Sequence, residues 1–126
     1  MQLGYTILYV PDAPAALAFY EQAFGLTTRF LAEGSDFGEL DTGATALAFC
    51  SHALLKQLGK SPTAAAPCFE IALVTPDVPA AAAHAVAAGA TLTQAPEQMP
   101  WGQTVAYVMD LNGFTVELCT PINPPQ

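Results

Sequence analysis

The stretch VPDAPAALA (Val10–Ala18) is written a second time in this chain as TPDVPAAAA (Thr75–Ala83). The spacing between the copies is constant, because Asp12 stands to Asp77 as Pro14 stands to Pro79. In each copy the aspartate is placed to cap a helix N-terminus, and the proline falls in the first turn, where no N–H is needed. An alanine-rich run follows, and a glycine stop, Gly25 or Gly89, closes each helix.

The flanks repeat as well. A strand-like run precedes each Pro-Asp, Tyr5–Val10 (YTILYV) and Cys68–Thr75 (CFEIALVT). Three short strand candidates separated by turn chemistry follow each helix. In the first copy these are Thr27–Glu33, Phe37–Asp41 and Thr45–Cys50, with Gly34, Gly38 and Gly43 read as turn glycines. In the second they are Thr91–Ala95, Thr104–Tyr107 with an extension to Met109, and Thr115–Thr120. The pattern is β-α-β-β-β, twice, an α+β fold. Module one spans about 3–50 and module two about 68–120, joined by a connector, 51–67, with a possible helical turn at Ala53–Leu58. The tail Pro121–Gln126 holds three prolines and cannot continue a strand. A module of roughly 60 residues buries too little to stand alone, so residues 1–126 are expected to form one domain.

Composition excludes several classes of function. The 126 residues are 52% hydrophobic and 11% charged, enough apolar material for a core and too much for disorder. Eleven acids face Lys56, Lys60 and Arg29, for a net charge of −8. A nucleic-acid backbone or an anionic membrane surface needs clustered Lys and Arg, so neither is an expected partner. No apolar run reaches the roughly 20 residues of a bilayer span, and no secretory signal is read at the start. Cys50, Cys68 and Cys119 lack metal-type spacing, and a reducing, cytoplasmic location follows as an expectation.

The repeat allows equivalent positions to be compared. Tyr5 maps onto Glu70. With Gly43 taken as equivalent to Gly113, Leu47 maps onto Glu117. Side chains alternate along a strand, so Glu70 shares a face with Ala72 and Val74, Glu117 with Thr115 and Cys119, and Leu47 with Phe49. Both glutamates interrupt apolar or β-branched strands, where a carboxylate is costly unless solvated, paired or bound to a ligand.

The double β-α-β-β-β, the openings YTILYVPD and FEIALVTPD, and the ending PWGQTVAYVMDLNGFTVEL resemble the vicinal oxygen chelate superfamily of glyoxalase I, bleomycin-resistance proteins and extradiol dioxygenases. The resemblance runs from about Leu3 to Cys119. It implies two tandem modules whose mixed sheets form a cup, with helices outside, and a homodimer. In metal-using members the first and last strands of each module supply one ligand apiece, commonly His or Glu. Those positions here are Tyr5, Leu47, Glu70 and Glu117, and none is histidine. An open catalytic site generally takes three protein ligands, so no metal and no other cofactor is expected. Glu70 and Glu117 are the ligands if a divalent metal is bound after all.

The site residues thus have more than one reading. Glu70 and Glu117 are metal ligands, a carboxylate pair for a cationic or hydrogen-bonding ligand with Glu117 as the best acid/base candidate, or ordinary strand acids. Tyr5 is a phenol donor in the cup or a plain strand aromatic. Trp101, in Pro-Trp-Gly before a strand, is an aromatic wall over a ligand or a packing residue at a corner. Phe49 and Tyr107 are candidates for lining an apolar pocket, although such residues more often belong to a core. His84 reads as a solvated helix residue and His52 as an exposed connector residue. Cys119 has no base nearby in sequence to activate it, and Cys50 and Cys68 read as core.

The function expected from this is binding of a small organic molecule, apolar or cationic, in an acidic and apolar cup without metal. The nearest analogy is drug sequestration of the bleomycin-resistance kind. The alternative is a metal-dependent lyase, isomerase or dioxygenase using Glu70 and Glu117.

Overall fold

A computed structural model describes residues 5–59 and 70–121. The chain divides into two compact units, Met1–Ala65 and Ala66–Gln126. Unit 1 runs β1 (Tyr5–Val10), α1 (Ala13–Phe24), β2 (Thr27–Leu31), β3 (Phe37–Asp41), β4 (Ala46–Ser51) and a short α2 (His52–Gln57). Unit 2 runs β5 (Glu70–Val74), α3 (Val78–Ala87), β6 (Thr91–Gln98), β7 (Thr104–Met109) and β8 (Thr115–Cys119). Each is the expected β-α-β-β-β, in the mixed sheet orders β1-β4-β3-β2 and β5-β8-β7-β6. The beginning of the CFEIALVT strand, including Cys68, and most of the connector and the tail lie outside the described residues.

The repeated Pro-Asp motifs do the same work in both units. Asp12 Oδ1 accepts the Ala15 N–H at 3.0 Å, and Asp77 Oδ1 accepts that of Ala80 at 3.1 Å. At the other end the Gly25 N–H donates to the Glu21 carbonyl, and the Gly89 N–H to that of Val86, at 3.0 Å each. Helix α2 starts one residue before the expected turn because Ser51, at the end of β4, is its cap. The Ser51 hydroxyl accepts the Leu54 N–H at 3.1 Å and donates to Asp36 Oδ1 at 2.8 Å.

In unit 1 the apolar face of α1 covers one face of the sheet. Leu17 and Tyr20 from the helix and Leu8, Val10, Leu40, Leu47 and Phe49 from the strands are buried. The Tyr20 and Phe49 rings lie 4.9 Å apart in a tilted contact. Gly38 is not a turn glycine: it sits inside β3, and a Cβ there would run into Leu17 Cδ1, so its absence lets the helix approach the sheet. In unit 2 Ala82 and Ala85 of α3 and Ala106, Val108, Val116 and Leu118 of the sheet are buried.

One strand is longer than its sequence suggested. The sequence places the strand at Thr91–Ala95, and β6 continues through Pro96 to Gln98. It is an edge strand, and its pairing with β7 shifts register between Gln94 and Glu97. An edge with a bulge tolerates a residue that cannot donate to the ladder.

Candidate functional site

The strand pairings decide which residues share a face. In unit 2, Glu70 lies beside Thr115, Ala72 beside Glu117 and Val74 beside Cys119. On the other side of β8, Met109 opposes Thr115, Tyr107 opposes Glu117 and Val105 opposes Cys119. Laterally paired residues point to the same side of a sheet. Glu70, Glu117 and Tyr107 therefore stand together on the face away from α3, among Ala72, Val74 and Met109. Glu117 and Tyr107 are half-buried and Glu70 is exposed.

The Tyr107 hydroxyl donates to Glu117 Oε1 at 3.0 Å. This bond to a carboxylate, reinforced by partial desolvation and the charges of Glu117 and Glu70, holds the phenol's pKa above its ordinary value. Burial, with the charge of Glu117 added, raises the Cys119 thiol, which opposes a nucleophilic role. No Lys or Arg follows Lys60 in the chain, so unit 2 has acids and no strong base to neutralise them. The neutral phenol orients Glu117 and brings no positive charge to it.

Unit 1 presents different chemistry at the matching positions. Tyr5 pairs laterally with Ala46, as Glu70 does with Thr115, so the counterpart of Glu117 is Ala48 and not Leu47. The reason is a loop length. The β3–β4 connection is 42–45 and the β7–β8 connection 110–114, so two residues separate Gly43 from β4 and one separates Gly113 from β8. Equating Gly43 with Gly113 therefore slipped the register by one, and one residue of slip exchanges the two faces of a strand. Leu47 and Phe49 point toward α1, at 5% and 0% exposure, and belong to the core. The face away from α1 instead carries Tyr5, Ile7 and Tyr9, all exposed, beside the small, buried Ala46, Ala48 and Cys50. Cys50 is the register counterpart of Cys119, and both are buried.

Glu39 was missed in the sequence. It opposes Ala48 as Tyr107 opposes Glu117, and it is half-buried. The alternation in FGELD held the signal, since Gly38 and Leu40 face the helix and Glu39 must face away.

Trp101 lies in the same unit as the Tyr107–Glu117 pair, before the start of β7. It lies in the turn between β6 and β7, whose end is joined to β8 by the bond from the Thr120 N–H to the Thr104 carbonyl. That is three residues along β7 from Tyr107, roughly 10 Å at strand spacing. His84 is exposed on α3 as expected, whereas His52 is the first residue of α2 and half-buried. Among the described residues no group of three or more His, Cys, Asp and Glu side chains is gathered to hold a metal ion. The register positions offer a phenol and an alanine in unit 1 and two carboxylates in unit 2. Neither unit by itself offers the three protein ligands of an open catalytic metal site at these positions.

Each unit is thus a β-α-β-β-β whose helix lies on one face of a four-stranded mixed sheet. Residues 2–118 match the model of the Glyoxalase/Bleomycin resistance protein/Dioxygenase superfamily, and the chain belongs to that family. It is similar to a glyoxalase-related enzyme from Fulvimarina pelagi, at 22% identity and TM-score 0.83, over 96% of this chain and 88% of that one. It is similar to a glyoxalase/bleomycin resistance protein/dioxygenase family enzyme from Burkholderia phytofirmans PsJN, at 26% identity and TM-score 0.79, over 95% and 98%. TioX from Micromonospora sp. ML1 has 23% identity and TM-score 0.74, over 95% and 98%. The first and third likenesses speak to fold alone. No curated protein matches the chain. Among the described residues no helix is long and apolar enough to cross a membrane.

Proposed function

We propose that this chain is a small-molecule-binding protein that holds an organic cation, or an apolar molecule bearing a basic group, without a resident metal. The face of unit 2 with Glu70, Glu117 and Tyr107 is its recognition surface. The observation that carries this reading is the Tyr107–Glu117 hydrogen bond on a face that also holds Glu70 and apolar side chains. An oriented carboxylate with no base of its own unit is the partner an ammonium group needs. Ala72, Val74 and Met109 supply apolar contact, and the net charge of −8 favours encounter with a cation. Tyr5 is an exposed phenol of unit 1, while Leu47 and Phe49 have no part in the reading.

The test is metal analysis of the purified protein followed by titration with Ni²⁺, Mn²⁺ and Zn²⁺, and a thermal-shift screen with aromatic cations and anions. Cations should raise the melting point, since a ligand that binds only the folded state stabilises it. One tightly held metal per chain, lost in Glu117→Gln, would replace this reading with the metal-dependent lyase, isomerase or dioxygenase. A homodimer and a cytoplasmic location complete the proposal. The exposed apolar row Tyr5, Ile7 and Tyr9 supports the first, and light scattering of the purified protein checks it. The odd, sparse set of three cysteines supports the second.

A further inference from the structure

Trp101 is the only tryptophan in the sequence, and it is 66% exposed. Its polar edge is nevertheless tied down. Its Nε1–H donates to Gln103 Oε1 at 2.8 Å, and Gln103 Nε2 donates to the Thr120 carbonyl at 2.7 Å. Thr120 is itself clamped to β7: its hydroxyl accepts the Thr104 N–H at 3.0 Å, and its own N–H donates to the Thr104 carbonyl at 3.1 Å. The relay thus runs from an exposed ring to the last rung of the β7–β8 ladder.

The backbone of the turn is fixed independently. The Met99 N–H donates to the Gln103 carbonyl at 2.7 Å, and the Gly102 N–H to the Met99 carbonyl at 2.9 Å. Gly102 has φ +103°, a conformation a side chain would strain, so the residue after Trp101 is glycine for a backbone reason. Gln103 is half-buried and uses both ends of its amide, one to accept from the indole and one to donate to the strand.

An exposed side chain ordinarily samples several rotamers, and ordering it costs entropy. Here that ordering is already built in. The indole N–H lies in the plane of the ring, so its bond to Gln103 engages the edge and leaves the π faces unused. The ring's one donor is spent, and what it still offers a ligand is a face. An aromatic face in a chain of net charge −8 suits an aromatic ring or a quaternary ammonium, and least of all an anion that needs a donor.

We propose that Gln103 is a positioning residue, which holds Trp101 as a preformed platform for an aromatic quaternary ammonium ligand. This rests on the cation-binding reading of unit 2 and deepens it by naming the ligand class. Gln103 acts through Trp101 and touches no ligand itself.

The single tryptophan makes the test direct. Time-resolved fluorescence anisotropy reads the mobility of the indole, and its quenching reads binding of benzyltrimethylammonium. Gln103→Met keeps the length and volume of the side chain and removes both hydrogen bonds, while Gln103→Ala serves as a second variant. Far-UV circular dichroism and the melting point establish that each is folded. In both variants the fast component of the anisotropy decay should grow, and affinity for benzyltrimethylammonium should fall about three- to tenfold, the cost of ordering one side chain on binding. An anisotropy decay unchanged from wild type in Gln103→Met overturns the proposal. So does a freed indole with undiminished affinity. If the wild-type indole is ordered by Gln103 and yet no benzyltrimethylammonium binds, the cation-binding reading fails, and the ligand assigned to the platform fails with it.

Discussion

The two units share a backbone plan and differ in what they place on it. At the first-strand position unit 1 has Tyr5 and unit 2 has Glu70; at the last-strand position unit 1 has Ala48 and unit 2 has Glu117. Across the neighbouring strand the order of types reverses, with Glu39 in unit 1 and Tyr107 in unit 2. Only the cysteines, Cys50 and Cys119, are the same. A duplicated frame thus keeps its caps and strand order while its two faces diverge, one toward aromatic and small residues, the other toward carboxylates. The helix-facing side of each sheet carries the apolar core in both units, whereas the opposite side differs from one unit to the other.

That division can be broken by exchanging residues across it. The largest effect should come from Phe49→Ala, which empties the contact with Tyr20 and should cost about 3–5 kcal/mol in chemical denaturation. Tyr5→Ala, on the exposed side, should stay within about 0.5 kcal/mol. Equal losses would mean that the faces are assigned wrongly. Next comes the exchange at the matched last-strand positions. Ala48→Glu puts a carboxylate where the structure is fully buried and should destabilise by several kcal/mol, roughly the penalty for an unpaired buried ion. Glu117→Ala should cost about 1 kcal/mol or less, a typical loss for one hydrogen bond at a half-buried site.

A smaller effect is expected in the titration of Tyr107. Its phenol is held above its ordinary pKa, first by the bond to Glu117, so the folded state keeps the proton more tightly than the unfolded state does. The stabilisation is fully present below the unfolded pKa of about 10 and is lost as pH rises through the folded value. In ultraviolet titration the Tyr107 phenol should lose its proton later in the wild type than in Glu117→Gln. The smallest effect is at the exposed Arg29–Asp41 pair. The Gly43 N–H and then Arg29 lower the pKa of Asp41, so whatever it contributes is present above the ordinary aspartate pKa and fades as pH falls through the folded value. Asp41→Asn should leave the melting point at neutral pH essentially unchanged, as exposed pairs generally do.

The frame was readable from the chain because its signals are local. Asp12, Pro14, Asp77 and Pro79 mark two helix starts without reference to anything distant, and the strand candidates follow from turn residues on either side. The face mates of each glutamate, Ala72 and Val74 for Glu70 and Thr115 and Cys119 for Glu117, were also legible from alternation along each strand, whereas their sharing one face follows from the pairing of β5 with β8. The counterpart of Glu117 in unit 1 was not, because it depends on how β1 pairs with β4, and a one-residue difference between two hairpin connections reverses the answer. Gly38 misled for a related reason. Its role lies in the approach of Leu17 from α1, which no spacing within β3 reveals. The bond from Tyr107 to Glu117 and the relay from Trp101 through Gln103 to Thr120 join neighbouring strands, so they emerge only with the register.

The central claim is that unit 2 binds an organic cation through Glu117 and its neighbours. Calorimetric titration of metal-stripped protein with benzyltrimethylammonium tests it most directly, with wild type and Glu117→Gln compared at one ionic strength. Saturable binding to the wild type that weakens about tenfold in the variant is the predicted result, the scale of one charge-assisted contact. No binding to the wild type, or equal binding to both proteins, would contradict it.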